Sequence, residues 1–425
     1  MGIVAAAKGP PPPPHPHTRG PTTNRKTPTN NHYTMNIDTN IKKIRTEFPI
    51  LTQLKYLNSA AHGPTLKRVH TATQQWWQHR INEEDIKPPD AITEAAKLLH
   101  CHTDELCYAN RVSHALNTIS TMIPLKHGDN IVVTDLGYQS NVYVWMPHQT
   151  KGVEIRRINH HNGTIDTSDF EKAIDDKTKI VCLSRVEWTS STRYDMKAIS
   201  DTAHNHGALI VDDGYQALGA IDVDLHKTDV DFFTAGSEKW LCCPAMTGVL
   251  YVKRSLHSQF EPTYRNYGNV EEAFKDGAPW EKPGHDNIAS YNHPLYPDAR
   301  KYYQGLVSEE FTWGLHACLS YFNELGAANI EKKTMRLSQH LIEGLKEHPV
   351  KVNTPEEPEK RGALVTYNTG SYQKNQKLYE AFKKEGIIVA HRYAAGVGGI
   401  RVSCHFFNTE DEIDTLLAIQ KAALS

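Results

Sequence analysis

The chain has 425 residues, a formal net charge of −2, 39% hydrophobic residues and 23% charged residues. These are ordinary globular values, and the length is sufficient for a large core and more than one domain. The small net charge does not indicate a basic surface that would bind nucleic acid or an anionic membrane. No apolar run reaches the ~20 residues of a membrane-spanning helix. We therefore expect neither a nucleic-acid partner nor a membrane partner.

The seven cysteines are scattered along the chain and form no CxxC pair. This usage fits a reduced, cytoplasmic protein better than a disulfide framework. His100-Cys101-His102 and Cys107 contain metal-ligand residue types, but no second ligand group follows at zinc-like spacing. The sequence therefore predicts no metal site.

The first 34 residues contain a proline run and no acidic residue, so we predict a disordered tail over 1–34. We expect an N-terminal segment over 35–64 that joins a small domain, a large cofactor-binding domain over 65–300, and the small α+β domain over 301–425. The stretch from Tyr264 to Tyr303 is irregular and rich in Tyr, Pro, Asn and His. A loop of that length is usually functional or a partner contact.

Strands alternate with helices between about Leu106 and Val252, which predicts an α/β fold with a mainly parallel sheet. Two long helices, from Ser308 to Leu325 and from Asn329 to Glu347, precede the C-terminal unit. The strands predicted in that unit are 363–367, 387–391 and 400–404, and its helices are 376–384 and 410–423.

Two strand ends in the large domain carry the residue types of a catalytic site. The apolar run Leu209-Ile210-Val211 ends in Asp212-Asp213, and a later apolar run is followed by Lys239 and Trp240. Ligand-contacting residues lie at such strand ends in doubly wound sheets. A lysine that loses hydration has a lowered pKa and can form a Schiff base. A carboxylate and a lysine so placed are what pyridoxal phosphate (PLP) requires.

The strand-to-helix junction at Asn110 to Asn117 is a candidate anion site. Free backbone N–H groups and the helix dipole favour an anion at a helix start, and the Ser113 hydroxyl adds a donor. The same serine could equally be an ordinary N-cap. By contrast, the Gly-rich run Ala395 to Gly399 leads into a strand, so it does not fit a dinucleotide-binding motif.

Together these stretches resemble the class V aminotransferase family of fold type I PLP enzymes, which includes cysteine desulfurases, kynureninase and isopenicillin N epimerase. The resemblance runs from about Ile41 to the C-terminus and is carried by four motifs in order. They are Val112-Ser113-His114-Ala115-Leu116-Asn117, Asp213-Gly214-Tyr215-Gln216, Ser237-Glu238-Lys239-Trp240-Leu241 and Arg401-Val402-Ser403-Cys404-His405-Phe406-Phe407-Asn408-Thr409.

The resemblance implies a role for each matching residue. Lys239 would form the Schiff base with PLP, Asp213 would pair with the pyridine nitrogen, and Arg401 would bind the α-carboxylate of an amino acid substrate. The other cofactor-binding candidates are Ser113 and His114 at the phosphate, Tyr138 stacked on the ring, Gln216 near the ring hydroxyl, and Ser237. Asn58 and His62, in the small-residue loop 56–64, are further candidates for substrate binding.

Three departures from the family pattern limit the reaction. Glu238 stands where desulfurases carry histidine, and Trp188 replaces an asparagine that often contacts the ring hydroxyl. The loop predicted ahead of the Arg401 strand, from His391 to Gly399, contains no cysteine to receive sulfur. A desulfurase that forms a persulfide on its own cysteine is therefore disfavoured.

We expect a PLP-dependent enzyme that acts on an α-amino acid, as a carbon–sulfur or other Cβ lyase or as an aminotransferase. An amino-acid epimerase or racemase and a non-catalytic PLP-fold binding module are the alternatives. A nicotinamide oxidoreductase is disfavoured because no GxGxxG follows the first strand. The resemblance also implies a homodimer.

Overall fold

Seven strands of the large domain form the main sheet of the computed structural model, which describes residues 35–83, 86–271, 294–305 and 307–424. The strand order is β2-β8-β7-β6-β5-β3-β4, in which β2 and β8 are antiparallel to their neighbours and the other pairings are parallel. The predicted mainly parallel α/β sheet is thus confirmed. The strands are β2 (Leu106–Tyr108), β3 (Asn130–Thr134), β4 (Glu154–Ile158), β5 (Thr178–Ser184), β6 (Leu209–Asp213), β7 (Phe232–Gly236) and β8 (Gly248–Val252).

Helices connect and cover these strands because parallel neighbours need crossover connections. A representative crossover helix begins after Asp195, whose side chain accepts the N–H of Ala198 at 3.1 Å. It ends before Gly207, which has a φ of +72° that suits glycine. The helices up to β8 are α1 (Ile41–Arg45), α2 (Lys67–Ile81), α3 (Ala91–Leu98), α4 (Val112–Met122), α5 (Ser140–Tyr143), α6 (Met146–Gln149), α7 (Thr167–Ala173), α8 (Met196–Asn205) and α9 (Leu225–Thr228).

A second, antiparallel sheet has the order β12-β13-β10-β9. The sequence predicts a loop at 391–399, and this is wrong: β12 and β13 form a hairpin whose only unpaired residues are Ala395 and Gly396, both with positive φ. The elements are α10 (Glu309–Leu325), α11 (Ala327–Leu345), β9 (Lys351–Val352), β10 (Leu364–Asn368), α12 (Tyr372–Lys384), β11 (Ile387–Ile388), β12 (Ala390–Ala394), β13 (Val397–Ser403) and α13 (Glu410–Leu424).

The N-terminal segment is fastened to this second sheet region. Strand β1 (Lys55–Tyr56) pairs in parallel with β11, and Asn58 forms a β-bridge with Ser403. The side chain of Asn408 donates to the carbonyl oxygen of Tyr56 at 3.0 Å. These pairings agree with a segment that joins the small domain, while the four domain boundaries stay a prediction.

Two further predictions fall wholly or partly outside the residues that the structure describes. The predicted tail at 1–34 and residues 272–293 of the irregular stretch lie outside them. Within them, no helix is both long enough and apolar enough to cross a membrane.

The loop 56–64 touches the lysine segment through Gly63, so a side chain there should destabilise the fold. The N–H of Gly63 donates to the carbonyl oxygen of Glu238 at 2.7 Å, and a Cβ at Gly63 would collide with the carbonyl oxygen of Lys239. We expect Gly63→Ala to lower the free energy of unfolding by about 1–3 kcal/mol, as overpacking does. Urea denaturation followed by circular dichroism measures this.

The control is Thr65→Ala, at the exposed position that directly follows this loop. This change should leave the free energy of unfolding within about 0.5 kcal/mol of wild type. Equal stability of wild type and Gly63→Ala would show that the loop does not pack against Lys239 as described.

Candidate active site

The carboxyl ends of β6 and β7 bring the two central candidates to one edge of the sheet. Asp213 is the last residue of β6, and Lys239 follows the end of β7 by three residues. The strands are parallel, with Asp213 opposite Thr234. Parallel strands place their carboxyl ends at the same edge, where open α/β sheets bind ligands. The pairing therefore explains why these two residues meet.

Asp213 is a buried carboxylate with a defined set of donors. Its Oδ1 accepts the N–H of Tyr215 at 3.0 Å. Burial raises the pKa of Asp213, while this N–H, the charge of Lys239, and the side chains of Asn141 and Ser184 oppose the rise. Asn141 and Ser184 are themselves hydrogen-bonded at 2.9 Å. A carboxylate held in this way can pair with a protonated ring nitrogen.

The amine of Lys239 lies between aromatic rings. Its Nζ is 3.8 Å from the ring centroid of Tyr215 and 5.7 Å from that of Tyr138. Burial lowers the pKa of Lys239 to about 8, with Arg401 acting in the same direction and Asp213 and Glu238 opposing it. A lysine with such a pKa has a much larger neutral fraction near physiological pH than an ordinary lysine, and the neutral amine is the form that attacks a carbonyl.

Arg401, on β13, is a buried guanidinium without an acidic partner among the described residues. It is 2% exposed, its Nη1 donates to the carbonyl oxygen of Trp188 at 2.8 Å, and its Nε has no partner. Burial lowers the pKa of Arg401 to about 9, and Arg392 adds to the decrease. Leaving a buried charge unpaired is costly. The site is therefore suited to an anionic ligand such as an amino acid carboxylate.

Two other buried polar atoms near Arg401 also lack partners among the described residues: the indole Nε1 of Trp188 and the Oδ1 of Asn58. The Trp188 ring meets the Tyr138 ring edge-on, with centroids 5.6 Å apart, and the Tyr138 centroid lies 5.7 Å from the Nζ of Lys239. Unpaired donors and acceptors of this kind call for a polar ligand. PLP and an α-amino acid together fit this donor set.

Ser113 and His114 lie in the first turn of α4, as the phosphate prediction requires. The N-cap residue, Arg111, makes no side-chain cap. Its carbonyl oxygen accepts the N–H groups of His114 and Ala115, both at 3.1 Å. An anion at this helix start would therefore rely chiefly on the N–H groups that precede His114. The roles of Ser113 and His114 stay predictions.

Gln216 and Ser237 are engaged within the protein. The Gln216 amide donates to the carbonyl oxygen of Ala60 at 3.1 Å and accepts from the Trp240 indole at 2.8 Å. The Ser237 hydroxyl lies 2.8 Å from the carbonyl oxygen of Pro244 and 2.7 Å from that of Thr247. Both side chains fix the loop that carries Lys239, and their predicted contacts with PLP stay predictions.

The loop 56–64 brings its two candidates to different environments. Asn58 is half-buried beside β13, whereas the His62 side chain is exposed. The Tyr56 hydroxyl donates to the carbonyl oxygen of His62 at 2.6 Å. This bond fixes the backbone of the loop, and a substrate role of Asn58 or His62 stays a prediction.

Sequence reasoning missed two groupings. One is the contact of Tyr215 with Glu238, which the departure of Glu238 from the family pattern could have indicated. The other is a cluster of His102, Glu105 and His226 away from the lysine. There Glu105 accepts from the His226 ring at 2.6 Å and from the His102 N–H at 3.0 Å, which fastens α9 to the start of β2.

Comparison with known proteins places the whole fold in one group. The sequence profile described as "Aminotransferase class-V" matches residues 56–416. A probable cysteine desulfurase of Methanothermobacter thermautotrophicus is 24% identical over 403 residues, covering 88% of this chain and 95% of that protein. Among solved structures, a cysteine desulfurase from Thermococcus onnurineus NA1 gives a TM-score of 0.77 at 22% identity, covering 90% of this chain and 98% of that one. The cystine C–S lyase C-DES, in complex with its reaction product cysteine persulfide, gives a TM-score of 0.77 at 19% identity, covering 88% and 98%.

The lowered pKa of Lys239 predicts selective labelling of the cofactor-free protein. Amine-reactive reagents attack the neutral amine, so the labelling rate rises with pH about a midpoint equal to the pKa. We expect a midpoint near pH 8 for Lys239, against about 10.4 for ordinary exposed lysines. Peptide mass spectrometry after brief labelling at several pH values measures both in one sample. A Lys239 midpoint at or above that of the exposed lysines would contradict the burial of its amine.

Proposed function

Since the chain belongs to the aminotransferase class-V family, it is a PLP-dependent enzyme, and we propose that it is a carbon–sulfur lyase for cysteine or cystine. The names of its relatives support this substrate class, because they include probable cysteine desulfurases and a cystine C–S lyase. The proposal retains the aminotransferase as the competing reaction, because both reactions need Lys239, Asp213 and Arg401.

The distribution of thiols is the observation that carries the proposal. All seven cysteines lie within the described residues; six are buried and Cys101 is half-buried. Cys404 follows β13 but packs in the apolar core of the small sheet, where burial raises the pKa of its thiol to about 12. The tight β12–β13 hairpin next to Arg401 contains no cysteine. With no fully exposed thiol among the seven and none on the hairpin that carries Arg401, the sulfur would leave with the product.

PLP, when bound, withdraws electrons from the Cα of an attached amino acid. Asp213 would hold the proton on the ring nitrogen, and Ser113 with the first amides of α4 would bind the phosphate. Arg401 would bind the substrate α-carboxylate through its unpaired Nε. The Nζ of Lys239, once free, would accept the Cα proton, because its lowered pKa leaves a neutral amine available.

Product analysis separates the lyase from its competitors. A lyase breaks the Cβ–S bond and gives pyruvate and ammonia in equal amounts, with sulfide from cysteine or a persulfide from cystine. Alanine as the main product would instead indicate transfer of sulfur to the protein, and turnover that depends on an added keto acid would indicate an aminotransferase. Either result would overturn the proposal. Borohydride reduction followed by intact-mass analysis establishes whether PLP is attached at Lys239, with Lys239→Ala as the control.

Arg401 supplies a second test. We expect Arg401→Gln to raise KM for the amino acid about 10- to 100-fold, since hydrogen bonds to charged groups contribute about 1.5–3 kcal/mol. Steady-state kinetics on cystine and cysteine measure the change. The matched control is Arg254→Gln, because this exposed arginine pairs with Asp104 on the surface. Equal KM changes in the two variants would exclude a specific carboxylate contact at Arg401.

We also infer a cytoplasmic homodimer. Seven free cysteines suit a reducing compartment, and the dimer rests on the family resemblance. Light scattering on the purified protein gives the mass in solution, and a monomer of 47.9 kDa would refute the dimer.

A further inference from the structure

Tyr215 contacts three parts of the site at once. Its N–H donates to the Asp213 carboxylate at 3.0 Å, and the face of its ring lies 3.8 Å from the Nζ of Lys239. Its hydroxyl donates to the carboxylate of Glu238, the residue that precedes Lys239. One residue therefore links the ring-nitrogen partner through its backbone, and the amine and an acid through its side chain.

The end of β7 has the space that this arrangement needs. A Cβ at Gly236 would lie 2.6 Å from the Tyr215 ring and 3.0 Å from the Glu238 carboxylate. The backbone of Gly236 is in an ordinary strand conformation, so space and not φ requires glycine there. Strand β7 thus ends in the residue type that lets the tyrosine and the glutamate meet beside the lysine.

We propose that Tyr215 and Glu238 act together as a positioning pair that holds the Lys239 amine against the tyrosine ring and sets the protonation state of that amine. The inference rests on the proposed role of Lys239. Tyr215 provides the ring face, which attracts a cation. Glu238 provides a negative charge, and the tyrosine hydroxyl bound to it moderates that charge.

Three charged groups face the amine, each from a different element. Asp213 at the end of β6 and Glu238 in the lysine loop favour the ammonium form, while Arg401 on β13 and burial favour the neutral form. Tyr138 adds a second, more distant ring. Among these groups, only Glu238 accepts a hydrogen bond from the tyrosine whose ring contacts the amine.

The pair predicts shifts of opposite sign. Glu238→Gln removes a negative charge, so the ammonium loses support and the Lys239 midpoint should fall by about one pH unit. Tyr215→Phe keeps the ring but removes the hydroxyl donor, so the carboxylate acts more strongly on the amine and the midpoint should rise. The labelling rate of Lys239 in the cofactor-free protein, followed as a function of pH, measures this midpoint.

Glu261→Gln is the matched control, because this exposed glutamate pairs with Arg265 on the surface. In this variant the Lys239 midpoint should equal that of wild type. Opposite shifts in the two site variants support the pair; unchanged midpoints, or shifts of the same sign, overturn it. If Tyr215→Phe does not fold by circular dichroism, Glu238→Gln alone decides, since an isosteric amide keeps the volume of the site.

The result is separable from the proposed function. If PLP fails to attach at Lys239 in wild type, the proposed function fails, yet the labelling experiment still measures the pair in the cofactor-free protein. If PLP attaches and both midpoints stay unchanged, only the positioning pair fails.

Discussion

The parallel pairing of β6 with β7 is the constraint on which the site depends. It places a carboxylate and an amine at one sheet edge, where each is removed from water by the surrounding strands and loops. Burial acts on the two groups in opposite chemical directions, because it disfavours the charged form of both: the pKa of Asp213 rises and that of Lys239 falls. The same packing therefore prepares an acceptor for a ring proton and a nucleophilic amine.

Strand geometry also explains the two consecutive acids at the end of β6. Successive side chains of a strand point to opposite faces. Asp212 binds the buried guanidinium of Arg185, with the Asp212 Oδ2 2.9 Å from the Arg185 Nε, whereas Asp213 faces Asn141, Ser184 and the lysine. One acid stabilises the covered face of the sheet, and the other serves the site. Local sequence alone does not distinguish them, and the family motif did.

Much of the fold follows from periodicity. The alternation of apolar runs and helical segments between Leu106 and Val252 predicted the large sheet. The β12–β13 hairpin was missed because its turn has small residues, Ala395 and Gly396, within a glycine-rich run that has no apolar alternation. Strand pairing there comes from tertiary contacts, above all from β10 on the other side of β13.

The site was predictable only as far as single residues match motifs. Lys239, Asp213 and Arg401 were identified in this way, but their surroundings were not, since hydrogen-bond partners come from distant segments. The Gln216 amide is hydrogen-bonded to Ala60 and Trp240, which lie in two separate loops. Periodicity contains no information on which of several polar groups will be used internally and which will remain for a ligand.

The unpaired atoms give the clearest link from packing to reaction. Twenty buried side-chain atoms lack a partner among the described residues, and those of Arg401, Trp188 and Asn58 belong to residues of the candidate site. Arg401 lies on β13, which pairs with β12 in the hairpin, so its backbone is fixed by strand pairing. A hairpin with a two-residue turn places the guanidinium for an amino acid carboxylate, and it contains no cysteine that could accept sulfur. This arrangement favours chemistry in which sulfur leaves as part of a small molecule.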